Sequence, residues 1–256
     1  MEPRIQYTKT SDGVSIAYAS VGEGPQLIFL PSAWTQFSLN WSYPAWSEAL
    51  ERLGGRRQRI EYDRRGFGLS QRDVVELTLE TGIADLEAVF AALGLQTAAL
   101  FADTLAGPTA IAYAANQPNR VSHLILYGTF ASRGDVMQGD QLNALVNLCR
   151  TDWHSAAQLF ADQSVRELLP EDGVKFAEIF RQSASGENVA RLLSVRSDLT
   201  ELLPLVKCPT LVIHRRSDPV IPFSAGQKLA AAIPNSEFLP LEGSVHAFFL
   251  GDHEPR

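Results

Sequence analysis

Three residues of this chain have the types needed for nucleophilic catalysis by a hydroxyl: Thr104, Asp218 and His246. A hydroxyl is a weak nucleophile and needs a base within hydrogen-bond reach; the base needs a third group to orient it. Thr104 lies in the stretch Leu100-Phe101-Ala102-Asp103-Thr104-Leu105-Ala106-Gly107-Pro108. An apolar run from Thr97 to Phe101 enters this stretch and a small-residue run from Pro108 to Ala115 leaves it, the layout of a strand, a sharp turn and a helix. A residue at such a turn stands above the carboxyl edge of a sheet, and the positions two before and two after it must be small. With Thr104 at the apex those positions are Ala102 and Ala106; with Asp103 there, they would be Phe101 and Leu105, both too large. The register therefore selects Thr104. Asp218 follows the apolar run Thr210 to His214, and His246 follows Phe238 to Leu241. Each sits in a loop past the carboxyl end of a strand, the edge at which open α/β sheets place their sites. His123, His154, His214 and His253 read as solvated or as satisfied in the core.

The elements that must position these residues alternate. Ile5 to Lys9 and Val14 to Val21 read as strands joined by the hairpin signal Ser11-Asp12-Gly13. Gln26 to Leu30, Arg59 to Tyr62, His123 to Tyr127, Thr210 to His214 and Phe238 to Leu241 are further strands. The short continuous apolar runs are those of strands covered on both faces of a parallel sheet. Pro44 to Leu53, Leu79 to Leu93, Pro108 to Ala115 and Phe223 to Ile233 read as helices; in the second, Leu79, Ile83, Leu86, Phe90 and Leu93 recur at spacings of three and four. The fold class is therefore α/β, a mostly parallel sheet flanked by helices. From Ala131 to Thr200 no strand-like run occurs, and the segment reads as short helices broken at Gly139, Pro170, Gly173 and Gly186. It is expected to be a helical cap, residues 131–200, inserted into a core of residues 1–130 and 201–256.

Composition excludes several classes of function. A length of 256 residues suits one large α/β unit. A net charge of −7 argues against a nucleic-acid footprint and a polybasic membrane patch. Cys149 and Cys208 fit no metal spacing, and two cysteines do not build a disulfide scaffold. Met1 to Thr10 lacks the apolar region of a signal peptide, and no apolar run approaches the roughly 20 residues of a membrane span. A cytoplasmic protein is expected.

Four stretches carry a resemblance to the α/β-hydrolases over nearly the whole chain. Asp63-Arg64-Arg65-Gly66-Phe67-Gly68-Leu69-Ser70 resembles the family's D-x-R-G-x-G-x-S loop. The run Tyr113 to Val121, after the turn at Thr104, resembles A-Y-A-x-x-x-P-x-R-V. Pro209 to Asp218 resembles the acid strand, and Gly243-Ser244-Val245-His246 the histidine loop. Tyr127-Gly128-Thr129-Phe130 and Val212-Ile213-His214-Arg215 are closest to bacterial hydrolase-like domains often joined to nucleotidyl cyclase or helix-turn-helix domains. The resemblance implies a hydrolase in which Thr104 attacks, His246 shuttles the proton and Asp218 holds the imidazole. It places the oxyanion hole at the backbone N–H groups of Ala33 and Leu105.

The departures are specific. Family members usually carry serine where Thr104 stands, and the turn's glycines are alanines here. Some plant esterase relatives with threonine at this position act as dehydratases. The family's H-G-x stretch is Pro31-Ser32-Ala33, and Asp103 puts a negative charge where neutral residues are commoner. The family has a helix after the last strand, whereas this chain stops ten residues past His246, so it is either short or a piece of a longer protein.

Two functions follow as expectations. The first is hydrolysis of an ester, lactone or similar acyl bond without metal or organic cofactor, in an apolar pocket for which Trp34, Phe130, Trp153, Phe176 and Phe180 are candidate lining residues. The second is a catalytically weak or inactive ligand-sensing domain of a regulatory protein; a non-hydrolytic lyase is a third use of the same pocket. The expected partners are a small apolar acyl substrate or ligand, with no nucleic acid through this domain and no membrane, and a homodimer is compatible with either function. Thr104 is expected in a sparsely populated backbone region, its hydroxyl within about 3–4 Å of His246.

Overall fold

A computed structural model describes residues 3–32, 36–137, 139–165 and 170–250. Strands Gln6–Lys9 (β1) and Ser15–Val21 (β2) form an antiparallel hairpin, with Tyr7 opposite Ala17. Strand Gln26–Phe29 (β3), helices Phe37–Asn40 (α1) and Pro44–Gly54 (α2), and strand Gln58–Tyr62 (β4) follow. Helix Leu79–Ala92 (α3) then leads to strand Ala98–Thr104 (β5), helix Gly107–Asn116 (α4) and strand Val121–Thr129 (β6). Four helices come next: Gly139–Thr151 (α5), Trp153–Ser164 (α6), Pro170–Ser183 (α7) and Gly186–Ser194 (α8). Strand Thr210–Arg215 (β7), helix Phe223–Ala232 (α9) and strand Ser236–Leu241 (β8) complete the described chain.

The eight strands form one sheet in the order β1-β2-β4-β3-β5-β6-β7-β8. β2 is antiparallel to both neighbours; from β4 to β8 every pairing is parallel. This is the expected mostly parallel sheet. Ile28, Leu100 and Leu124, from its three central strands, are fully buried, as the apolar runs require. From β3 the chain steps outward to β4 and then returns past β3 to β5, so the strand order reverses there. The crevice beyond the carboxyl ends of β3 and β5 is the switch point at which such sheets hold ligands.

One sheet face is covered by α3 and α4, with Leu86, Phe90, Ile111 and Tyr113 in its core. Thr78 caps α3: its side chain accepts from the N–H of Thr81, and the Thr81 hydroxyl accepts from the N–H of Thr78. The other face carries Phe29, Phe101 and Tyr127, and its core continues without a break into Phe160, Phe176 and Phe180 of the four-helix segment. That segment, between β6 and β7, packs α6 on α7, and α5 on both α6 and α8. Gly139, Pro170 and Gly186 begin helices, as the sequence suggested. Gly173, read as a break, lies inside α7: a single glycine costs a helix only about 1 kcal/mol. The short α1 gave no periodic signal, having only four residues and no side-chain cap. Among the described residues no helix is long and apolar enough to cross a membrane.

Candidate active site

β5 carries Thr104 to the edge of the sheet and leaves it at φ 47°, the sole positive φ of a non-glycine residue among those described. A threonine held there stores about 1–3 kcal/mol of strain and persists only where its surroundings fix it. The Thr129 hydroxyl donates to the Thr104 carbonyl at 2.5 Å, and the Ala106 N–H donates to the Asp103 carbonyl at 2.9 Å. Ala102 and Ala106 are both fully buried, which explains why those positions must be small. The tightest constraint falls one residue later. A Cβ on Gly107 would lie 1.9 Å from Thr129 Oγ1, the atom that holds the turn.

Thr104 Oγ1 lies 2.7 Å from His246 Nε2, and His246 Nδ1 lies 2.7 Å from Asp218 Oδ2. The other carboxylate oxygen of Asp218 accepts the N–H groups of Val220 (2.8 Å) and Ile221 (3.0 Å). With both oxygens of an ionised Asp218 accepting, Nδ1 of neutral His246 must carry the hydrogen. Nε2 is then the lone-pair nitrogen that faces Thr104. Burial opposes charge on both partners, yet each favours the charged form of the other. The histidine and the two N–H groups keep Asp218 below the usual carboxylate range, while Asp218 raises His246 above the usual histidine value. The structure thus brings Thr104, Asp218 and His246 into one hydrogen-bonded line. The methyl-free Gly128 permits this: a Cβ there would meet Asp218 Oδ2 and His246 Cε1, each at 3.2 Å.

The loop of His246 is anchored by residues without an obvious sequence signal. Arg215 donates to the Tyr127 hydroxyl at 3.1 Å and to the carbonyls of Glu242 (2.6 Å) and Leu250 (3.1 Å). The N–H groups of His246 and Ala247 donate to the Ser164 carbonyl at the end of α6, at 3.1 and 3.2 Å. His214 is buried beneath the acid; its Nε2 donates to the Ile221 carbonyl at 3.0 Å, and burial keeps it neutral by lowering its pKa. His123 and His154 are exposed, and His253 lies outside the described residues.

Of the two backbone donors expected for the oxyanion, Ala33 lies outside the described residues, as does the candidate pocket residue Trp34. Leu105 lines the cavity beside Thr104, and its N–H has no acceptor among the described residues. Pro31 and Phe37, on either side of Ala33 and Trp34, are held by the Asp63–Ser70 segment. Arg64 Nη2 donates to the Pro31 carbonyl at 2.8 Å, and Asp63 accepts from the N–H groups of Phe37 (3.0 Å) and Leu69 (2.8 Å). Asp103 does face the site. Its Oδ2 is 3.4 Å from Thr104 Oγ1, and its carboxyl also bonds the Ser32 side chain. Burial raises its pKa, opposed by His246 and Ser32.

The cavity above Thr104 and His246 has a volume of about 170 Å³. Phe176 and Phe180 of α7 line it, joined by Trp46 of α2, Leu145 of α5, Phe160 of α6 and Phe249. Two expected lining residues lie elsewhere. Phe130 turns under the Arg133 guanidinium, 5.1 Å from its ring, and lines a smaller neighbouring pocket. Trp153 opens α6 and packs toward α8, where a Cβ on Gly186 would come within 2.8 Å of its own. Trp46, Leu145, Phe160 and Phe249 escaped the sequence reading because only the tertiary fold brings their four segments together. Among the described residues no cluster of His, Cys, Asp or Glu could hold a metal ion, and Cys149 and Cys208 are buried and unpaired as thiols.

A family model described as alpha/beta hydrolase fold matches residues 26–252. The AB hydrolase superfamily protein YisY of Bacillus subtilis (strain 168) is 28% identical, over 97% of this chain and 94% of its own length. The esterase RhEst1 from Rhodococcus sp. ECU1013 superposes with a TM-score of 0.81 at 27% identity, covering 97% of this chain and 94% of that one. The esterase EaEST from Exiguobacterium antarcticum superposes with a TM-score of 0.84 at 24% identity, covering 96% and 93%.

Proposed function

This chain belongs to the α/β-hydrolase fold family, and on that premise we propose that it hydrolyses a carboxylic ester, lactone or similar acyl bond through Thr104. The observation that carries the reading is the unbroken line from Thr104 Oγ1 to His246 Nε2 at 2.7 Å and from His246 Nδ1 to Asp218 Oδ2 at 2.7 Å. Thr104 Oγ1 bonds to the acyl carbon as its proton passes to His246 Nε2. Asp218 stabilises the imidazolium, and the N–H of Leu105, with that of Ala33 by the family's pattern, receives the oxyanion. Collapse expels the alcohol, which takes the proton from His246. Water, deprotonated by the same nitrogen, then releases the acid from Thr104. The step needs neither metal nor cofactor, and the apolar wall of the cavity receives a small acyl group. The family relative named as an esterase at 27% identity, RhEst1, supports this class of substrate.

Hydrolysis of p-nitrophenyl acetate by the purified protein and its His246→Ala variant tests the reading. Wild-type turnover above the variant's is the expected result; equal rates overturn it. One observation favours a second reading, a ligand-sensing domain of weak or no activity, as in the domains joined to nucleotidyl cyclase or helix-turn-helix domains. The Asp103 carboxyl stands 3.4 Å from the nucleophile, where its charge opposes a developing oxyanion. Saturable ester binding without turnover, in both wild type and Asp103→Asn, would favour that reading. Cytoplasmic location and a homodimer belong to the same proposal, and cell fractionation and sedimentation test them.

A further inference from the structure

Arg133 follows β6 in a short 3₁₀ turn, Arg133–Asp135, and lines both the cavity that holds Thr104 and His246 and the smaller pocket beside Phe130. Its Nε is buried and has no hydrogen-bond partner. Arg59, Arg64, Arg120 and Arg181 have a buried Nε in the same condition, but each guanidinium is held by a neighbour. Arg59 meets Glu61 (3.4 Å), Arg64 the Pro31 carbonyl (2.8 Å), Arg120 Glu87 (3.4 Å) and Arg181 Gln158 (3.3 Å). The Arg133 side chain makes no hydrogen bond or ion pair with any described residue; its one contact of this kind is the Phe130 ring. The nearby acids are engaged elsewhere: Asp135 with Lys228, and Asp198 with Thr200. Burial draws the Arg133 pKa down to about 10, which still leaves the group charged at neutral pH.

A half-buried cation without a protein partner among the described residues is disfavoured relative to a paired one, and a guanidinium offers a planar pair of donors that matches a carboxylate. We propose that Arg133 forms a carboxylate subsite in the substrate cavity, so that the preferred substrate is an ester or lactone whose acyl part carries a second, free carboxylate. The rest of the wall is mostly apolar and supplies no second arginine, which suits a monoanion better than a phosphate dianion. Asp103 in the same cavity repels a carboxylate while Arg133 attracts it, and the two together set which end of the substrate reaches Thr104. As regards turnover, the proposal rests on the hydrolase reading above.

The test compares two p-nitrophenyl esters of similar length, the half-ester of glutaric acid and the neutral pentanoate. The wild type is expected to favour the half-ester in kcat/KM. In Arg133→Gln the ratio of the two kcat/KM values falls by about 10- to 100-fold, the worth of a hydrogen bond to a charged group, mostly through KM. Arg133→Lys keeps most of the preference. A wild type that favours the neutral ester, or a ratio unchanged in Arg133→Gln, overturns the subsite. Thermal shift with free glutarate separates this outcome from failure of the hydrolase reading. If neither ester is turned over, a glutarate-induced rise in Tm that is lost in Arg133→Gln still supports the subsite. No rise in the wild type, or the same rise in the variant, overturns it.

Discussion

Replacing Asp218 by asparagine changes one atom and discriminates sharply, because the structure dictates how the amide must lie. Asp218 Oδ1 accepts two backbone N–H groups, from Val220 at 2.8 Å and Ile221 at 3.0 Å, while Oδ2 faces His246 Nδ1 at 2.7 Å. If the amide oxygen keeps the two N–H donors, the NH₂ group faces Nδ1 and forces that nitrogen to accept. The ring hydrogen then moves to Nε2, which donates to Thr104 and cannot take its proton. Turning the amide over restores the productive tautomer but sets NH₂ against two buried donors. Each unsatisfied donor costs about 1–3 kcal/mol, so the turned form lies about 2–6 kcal/mol higher. With the imidazolium also losing its counter-charge, kcat/KM for p-nitrophenyl acetate is expected to fall by about 10²- to 10⁴-fold. The hydrogen-bond count is unchanged in the favoured orientation, so the denaturation midpoint should move little. Nitrogen-15 spectra of the His246 ring would report the change of tautomer. A variant that retains activity within about threefold of the wild type, with Nε2 unprotonated, would show that Asp218 does not set the His246 tautomer.

Other consequences can be measured independently. The base must be neutral to act, and Asp218 and Asp103 both raise the His246 pKa above its usual 6.5. Thus kcat/KM should rise with pH through a midpoint above that value. Asp103→Asn removes one of those negative charges and should shift the midpoint to lower pH while raising the plateau; a midpoint shifted upward would contradict the placement of Asp103. Away from the site, Asp85 is buried against Arg65 at 2.7 Å, and Arg65 is itself 3% exposed. Asp85→Ala leaves that guanidinium with Asp12 alone, at 2.6 Å, and should cost about 3 kcal/mol of stability in denaturant unfolding, the lower end of what breaking a buried pair costs. A loss below about 1 kcal/mol, the worth of a surface pair, would show that Asp12 suffices.

The parts of this molecule legible in the sequence are those set by local pattern. Apolar runs such as Gln26–Phe29 and the three-and-four spacing in Leu79–Ala92 are fixed by which faces the sheet and helices bury. The turn at Thr104 is legible because a left-handed backbone between two packed elements leaves room only for alanines on either side. Gly107 and Gly128 were not assigned, because the atoms they make room for, Thr129 Oγ1 and the Asp218–His246 pair, come from other strands and loops. The pocket was legible only in part. Apolar type near the sheet edge does not fix which way a ring turns, so Phe130 and Trp153 were expected in a cavity that instead takes Trp46, Phe160 and Phe249. Arg215, whose three bonds hold the histidine loop, resembles any other arginine after a strand until the fold brings Tyr127, Glu242 and Leu250 around it.

The proposed function makes Thr104 the nucleophile and His246 its base. A fluorophosphonate, which phosphonylates an activated hydroxyl, tests this directly when labelling is followed by intact mass and the modified peptide is mapped. A single adduct on Thr104 is expected, absent in His246→Ala and formed faster in Thr104→Ser, where the methyl that crowds the attacking oxygen is gone. An adduct on another residue, or labelling of Thr104 at the same rate without His246, would contradict it.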